Sequence, residues 1–523
     1  MTSNVVRARA GTSHLALLAK AFAAFAHRTA FDQFGQQVTY AAVEDLIGAL
    51  TRRLDAAGAP DASVAVLSTN RYEAWCVQIA VHAVGGRYVP LSGLSSLRDH
   101  VHICNDAQVS LLVVDPVLAE RAQGIVDEVA TVKQLFTLGP CAVGDDLLAA
   151  AAIEAPGGPL DPEAVDPERV CSLVYTSGTT GEPKGVMHTP TSLANGALEL
   201  LSGGELPDRV TYLACAPITH AAGMFVIPTF ALGGTVVIQS RFEPAEVLEV
   251  ADAKEINCTF LVPAMIHALV EAQSSRAARP THVQRIFYGG SPISPAALHA
   301  AIAAFGQVFS QVFGQTECLS GMMMTETEHD TTIPGRLASC GRAMPGVEIA
   351  LLDDDLREVP NGDVGEICLR SRSAMAGYWN QPDATERAFA GGWLHTGDLG
   401  TIDEAGFITI VDRKKDMVIS GGVNVYPRAI EDVLAEHPSV AMAAVFGVPD
   451  DKWGEAVQAV VVPRSDAAID PEELREFVRE RKGPVSVPKR IEILDALPLT
   501  PVGKVDKKAL RAPHWVGHDR SVS

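Results

Sequence analysis

The chain has 523 residues, of which 20% are charged and 47% hydrophobic. That is a globular composition, which excludes a disordered or collagen-like chain and predicts two to four domain-sized units. Acidic residues outnumber basic ones 63 to 42, a formal charge of -21, so the protein's field repels nucleic acid and anionic membranes; a phosphate-bearing ligand needs local lysines, hydroxyls or backbone N–H groups.

The predicted elements alternate. Arg7 and Arg9 precede an apolar run from Leu15 to Phe25 that Lys20 interrupts, which predicts a short amphipathic helix rather than a signal peptide. Strands are expected at Ser63–Ser68, Val109–Val114, Val132–Thr137, Thr235–Ile238 and Arg285–Tyr288, and helices at Tyr40–Ala56, Glu73–Val84, Pro244–Ala253, Met265–Ala272 and Pro295–Phe305. Such alternation predicts parallel sheets covered by helices. Val210–Ser240 carries no Asp, Glu, Lys or Arg. Pro217, His220, Gly223, Pro228, Gly233 and Gly234 cut it into pieces too short for a membrane span. Beyond residue 340, Val347–Leu352, Val364–Arg370 and Phe407–Val411 read as antiparallel strands. The charged run Asp412-Arg413-Lys414-Lys415-Asp416 follows, then Met417–Ser420, helix Pro427–Glu436, strands Ala441–Val448 and Glu455–Pro463, and helix Pro471–Lys482. The nine cysteines are odd in number and show no C-x-x-C spacing. This predicts reduced, buried thiols and a cytoplasmic setting, without a disulfide framework or structural zinc.

One segment carries chemistry on its face. The apolar strand Cys171–Tyr175 runs into Thr176, Ser177, Gly178, Thr179, Thr180, Gly181 and Lys184. Hydroxyls and exposed N–H groups donate to phosphate oxygens, glycine lets the backbone approach, and lysine adds a cation. A Walker loop beginning at Gly178 needs Gly at 183 and Ser or Thr at 185. The chain has Pro183 and Gly185, so that reading fails.

Tyr175 to Gly185, Y-T-S-G-T-T-G-E-P-K-G, resembles the phosphate-binding signature of the adenylate-forming superfamily of acyl-CoA synthetases, peptide-synthetase adenylation domains and luciferases. The resemblance continues in order along nearly the whole chain. It implies an α/β fold: a large N-terminal domain of stacked parallel sheets with a β-barrel-like part (1–411), a hinge (412–416) and a small mobile α+β C-terminal domain (417–523). It also implies ATP, Mg²⁺ and coenzyme A as cofactors and co-substrates, and a carboxylic acid as substrate. By resemblance, Gly289, Gly290 and Ser291 wall the adenine and acyl group. In Phe313-Gly314-Gln315-Thr316-Glu317, Phe313 stacks on adenine, Thr316 reaches the α-phosphate and Glu317 is the metal ligand. Asp398 and Arg413 hold the ribose. Lys415 is the hinge, Gly421 and Gly422 line the pantetheine tunnel, and Trp453 is a weaker CoA contact. Lys504 is the catalytic lysine. His220 is placed at the acyl carboxylate, with Thr219 where an aromatic residue usually precedes it; a buried core histidine is the competing reading. Ala221, Ala222, Met224, Leu319, Met322 and Met323 are candidate acyl-pocket walls, although three consecutive methionines are more often core filling.

The reaction so implied is adenylation followed by thioester formation, with an apolar acid (fatty, aromatic or alicyclic) favoured over acetate or a dicarboxylate. Amino-acid activation, a luciferase-type oxygenation and a non-catalytic acyl-nucleotide sensor are the alternatives. The sensor would keep the ligand pocket but lack the lysine; Lys504 and Glu317 are both present. A homodimer is compatible with the sequence.

Overall fold

The computed structural model describes residues 12–153, 158–176, 183–276, 282–450, 452–464, 468–498 and 505–515. Local chemistry sets many element ends. The Tyr40–Ala56 helix starts where Thr39 Oγ1 accepts the Ala42 N–H. Ser294 Oγ does the same for Ala297, ahead of Pro295–Phe305. Pro244, Pro295, Pro427 and Pro471 each open a helix, where proline costs no hydrogen bond. The helices Tyr40–Ala56, Pro244–Ala253, Pro295–Phe305, Pro427–Glu436 and Pro471–Lys482 therefore have the predicted bounds.

Two large sheets form the body. An eight-stranded sheet runs in spatial order Gly377–Tyr378, Lys184–His188, Ser172–Thr176, Arg87–Leu91, Ser63–Leu67, Val109–Val114, Gln134–Thr137, Asp145–Asp146. Its strands are parallel from Ser172–Thr176 onward, and the first two are antiparallel. A nine-stranded sheet has six parallel strands at its centre, among them Thr211–Ala214, Cys258–Leu261 and Arg285–Gly289, and antiparallel pairs at its ends. One apolar core joins them: Val64, Val66, Tyr88 and Leu111 from the first sheet pack with Phe31, Tyr212, Val236 and Phe287 from the second, around Phe22, Trp75 and Phe230 of the helices. The uncharged stretch is the strand Thr211–Ala214, the turn Ala221–Phe225, the short helix Val226–Ala231 and the strand Thr235–Ile238. Among the described residues no helix is long and apolar enough to cross a membrane.

The barrel-like part is a four-stranded antiparallel sheet of Glu348–Leu352, Gly365–Arg370, Leu394–Ile402 and Ile408–Arg413. Beyond it, Val418–Ser420, Val423–Val425, Val440–Asp450, Gly454–Pro463 and Arg490–Ile493 form a separate five-stranded sheet, with its own core of Val418, Ile430, Leu434, Val445, Val461, Leu474 and Val478. The sheets change hands at a turn over residues 414–416. Asp412 and Arg413 are thus still in strand, paired with Leu399 and Asp398, so the irregular part of the expected 412–416 hinge is its second half. All nine cysteines are free thiols, eight of them buried.

Candidate active site

Phe309–Gln315 and Cys318–Met324 pair antiparallel, with Gln315 opposite Cys318. Thr316 and Glu317 are therefore the two-residue tip of a hairpin, held clear of both strands. Gln315 Nε2 reaches across to the next segment and donates to the Thr396 carbonyl and to Asp398 Oδ2, each at 2.9 Å. Asp398 is only 4% exposed, and its other oxygen meets Arg413 Nε at 3.1 Å from the neighbouring strand. On the far side of the tip, Tyr378 Oη donates to Glu317 Oε1 at 2.9 Å. Burial and the Glu317 charge raise the Tyr378 pKa, so it remains a donor. Lys184 Nζ lies 5.3 Å from the centre of the Tyr378 ring. Thr176 pairs with Lys184 across the ends of the glycine-threonine loop, which places that loop's mouth beside Tyr378 and Glu317.

The hairpin tip is also gripped from behind. His188 is fully buried and its pKa is lowered to about 4 by loss of hydration. Its neutral ring donates from Nε2 to the Thr316 carbonyl at 2.7 Å, with Nδ1 on Ser192 Oγ at 3.1 Å. Sequence reading passed over Tyr378 and His188. His188 lay inside the strand that follows the loop, and Tyr378 in a Gly-Tyr-Trp run, and the contacts that tie them to the tip are with residues 128 and 61 positions away.

Gln315, Thr316, Glu317, Asp398, Arg413 and Lys184 are thus brought together. Ser177, Gly178, Thr179, Thr180 and Lys504 lie outside the described residues. Phe313 is half-buried two residues before Gln315, on the hairpin strand. Gly289 ends its strand at a place where a Cβ would come within 2.2 Å of the Val312 carbonyl, so sheet packing alone demands glycine there. Gly314 is packed against Leu319 in the same way. Gly290 and Ser291 follow at the exposed strand end. His220 is exposed but crowded, which lowers its pKa, and Thr219 Oγ1 is 2.9 Å from its Nδ1. The side chain reaches solvent, so it is not the buried core histidine of the competing reading. Ala221 and Met224 are at least partly accessible beside it, while Ala222 is buried, its carbonyl held by Tyr212 Oη at 2.9 Å. The methionine run fills core: Met322 and Met323 are buried. Met323 borders a cavity of about 510 Å³ with Met344, Pro345, Ile349 and Ile402, lined by none of the nucleotide-motif residues. Leu319 covers Gly196 of the Pro190–Gly203 helix.

In the smaller sheet, Gly421 and Gly422 are the two-residue link between Val418–Ser420 and Val423–Val425, with φ of 60° and 82°. Positive φ at both positions is what a tight hairpin of this type requires. Trp453 lies against Gly421, whose N–H donates to the Trp453 carbonyl at 2.8 Å. The indole is 42% exposed, with Lys452 and Lys489 Nζ at 4.7 and 5.5 Å from the ring. Lys415 is half-buried in the turn between the sheets, and burial lowers its pKa.

This donor set fits the expected groups. Glu317 offers hard carboxylate oxygens, as Mg²⁺ demands. Asp398 is a buried acceptor suited to ribose hydroxyls, and the indole with two ammonium groups suits a phosphorylated nucleotide such as that of CoA. Elsewhere, Glu366, Cys368 and His395 place ligand-type atoms within 4.8 Å of one another. Lys414 Nζ sits 3.3 Å from Glu366, so an ammonium already fills the role a metal would take.

A buried aspartate paired with a half-exposed arginine thus stands beside an acidic hairpin tip, at the mouth of a hydroxyl-rich loop. The chain belongs to the AMP-binding enzyme family: that family's model matches residues 18–379, and the model of the AMP-binding enzyme C-terminal domain matches residues 429–504. A medium/long-chain-fatty-acid–CoA ligase of Mycobacterium tuberculosis is 42% identical over 504 residues, covering 93% of this chain and 87% of its own. A feruloyl-CoA synthase of an Amycolatopsis species is 34% identical, covering 93% and 96%. The solved structure of the amide bond synthetase McbA of Marinactinospora thermotolerans superposes with a TM-score of 0.88 at 34% identity, covering 96% and 99%.

Proposed function

We propose that the protein activates an apolar carboxylic acid, fatty or aromatic/alicyclic, rather than acetate or a dicarboxylate. It is an acid–thiol ligase of the acyl-CoA synthetase type and uses ATP, Mg²⁺ and CoA. The carboxylate attacks the α-phosphorus of ATP and pyrophosphate leaves; the CoA thiol then attacks the acyl-adenylate carbonyl and AMP leaves. The observation that carries the reading is the convergence of Thr316, Glu317, Asp398, Arg413 and Lys184 about one hairpin tip. Two anions must meet in the first step, so its barrier is largely electrostatic and positional. Thr316 and the loop hydroxyls of Thr176–Thr180 donate to phosphate, and Lys504 supplies a cation. Glu317 would hold Mg²⁺, which when bound would offset the triphosphate charge. Asp398 and Arg413 orient the ribose. For the thiol step, Gly421 and Gly422 lie along the pantetheine and Trp453 against the nucleotide.

The apolar preference is supported by Val210–Ser240, which brings His220, Ala221, Ala222 and Met224 without one lysine or arginine to bind a second carboxylate. The fatty-acid and ferulate specificities in the names of the two relatives point the same way. An amine acceptor is the second reading, favoured by the likeness to an amide bond synthetase. We read residues 1–411 as the adenylation domain, 412–416 as hinge and 417–523 as a domain that rotates between steps, supported by the change of sheet at the 414–416 turn. A cytoplasmic location is supported by nine free thiols. A homodimer is read by sedimentation.

The test is a panel of acids with and without CoA or an amine, following AMP and acyl product together. Medium-chain or aromatic acids should give most thioester, and only with CoA. Malonate or acetate as best substrate would refute the acid class; amide without thioester would replace CoA as acceptor.

A further inference from the structure

Glu199 is 6% exposed, a carboxylate buried without an ion-pair partner among the described residues, and burial raises its pKa. Such a group persists only where its hydrogen bonds are well placed. Its Oε2 accepts Ser320 Oγ–H at 2.6 Å and its Oε1 accepts Ser371 Oγ–H at 2.6 Å. Ser371 Oγ in turn accepts the Ser373 N–H and touches the Ser373 hydroxyl, both at 2.9 Å. The two serine groups belong to segments that meet at the hairpin tip. Ser320 is three residues beyond Glu317 on the Cys318–Met324 strand. Ser371 and Ser373 open the run in which Ala374 bridges Cys318 and the Met375 N–H donates to the Glu317 carbonyl at 2.8 Å. The run ends at Tyr378, whose hydroxyl holds the Glu317 carboxylate. Glu199 rides on the Pro190–Gly203 helix, whose start is fixed by a Thr189–Ser192 capping box. His188, just before that helix, holds the Thr316 carbonyl.

We propose that Glu199 is a positioning residue for the first half-reaction: through Ser320 and Ser371 it fixes the hairpin strand and the Ser371–Tyr378 segment to one helix, and so sets where Glu317 and Tyr378 stand. This rests on the reading of Glu317 as the metal-side carboxylate. The pattern explains a choice that core packing alone does not, because an apolar residue of similar volume would bury more cheaply.

The experiment compares Ser371→Ala, Glu199→Gln and Glu199→Ala with wild type. Calorimetry reads Mg·ATP binding, and turnover reads the Mg²⁺ dependence of pyrophosphate release and thioester formation from supplied acyl-adenylate. Misplacement of a reacting group by ~1 Å costs up to roughly a hundredfold. Ser371→Ala and Glu199→Ala should therefore raise the Mg²⁺ requirement and weaken Mg·ATP by about tenfold, with the thiol step unchanged. Glu199→Gln, which keeps one acceptor and can donate to a rotated serine hydroxyl, should recover most of it. If Glu199→Ala does not fold, Ser371→Ala decides, since it removes one small, part-buried group. Wild-type Mg²⁺ dependence in folded Ser371→Ala, or equal losses in both half-reactions, would overturn the proposal. If wild type binds Mg·ATP but turns over no acid, the substrate reading fails while the binding arm still decides Glu199; if wild type does not bind Mg·ATP, both fall.

Discussion

Replacing Asp398 by asparagine tests the nucleotide site most directly. The carboxylate has donors on both sides: Arg413 Nε at 3.1 Å on Oδ1 and Gln315 Nε2 at 2.9 Å on Oδ2. An amide has one oxygen, so its NH₂ must face one of those donors. Against Gln315 the clash is buried, and an unsatisfied buried donor costs ~1–3 kcal/mol. The Arg413 side chain is 49% exposed, so losing its partner's charge costs only about 1 kcal/mol. Stability should thus fall by ~2–4 kcal/mol, read as the urea midpoint. Ribose hydroxyls would also lose a charged acceptor, worth ~1.5–3 kcal/mol, which weakens ATP roughly 10- to 100-fold. Pyrophosphate release against ATP concentration measures the second effect separately from the first. A second variant, Gln315→Leu with Asp398→Asn, removes the clash and should recover stability without recovering ATP affinity. An Asp398→Asn protein that melts as wild type and keeps its KM for ATP within twofold would refute the arrangement. Lost stability with unchanged KM would make Asp398 structural only.

Lys504→Ala should cut adenylation by roughly a hundredfold or more while sparing thioester formation from supplied acyl-adenylate; Lys415→Pro should do the reverse, because a ring-locked φ resists the swing. Loss of the same half-reaction by both would end the two-conformation account. Burial raises the Asp412 pKa from 3.8 to about 6, above its unfolded value. The folded state therefore holds this proton more tightly, and the resulting stability, about 3 kcal/mol, is greatest below pH 4 and lost as pH climbs through 6. Asp412→Asn should flatten that part of the urea-midpoint profile, and superimposable profiles would contradict the assignment. Trp453→Ala should raise KM for CoA by about tenfold and leave pyrophosphate release unchanged; an equal loss in both steps would show that the indole only supports the Gly421 turn.

The chain by itself determined what depends on neighbours in sequence. Thr39 and Ser294 cap helices within three residues of themselves. Gly421-Gly422 makes its turn from its own φ angles, and the uncharged stretch broke at Pro217 and at Gly233-Gly234, while Gly223 and Pro228 were taken into a turn and a short helix. The order of motifs from Thr176 to Lys504 was legible by resemblance, which singled out Glu317, Asp398 and Arg413 but not the contact between the last two. What only the tertiary structure decided is who holds these groups. Tyr378 meets Glu317 across 61 residues, Glu199 meets Ser320 across 121 and His188 meets Thr316 across 128. Those contacts exist because the two sheets place particular strand ends side by side. Strand order is a property of the whole packed core, where many weak apolar contacts compete together. Met322 and Met323 make the same point: consecutive side chains on a strand face opposite ways, and burial, not composition, decided which surfaces they filled.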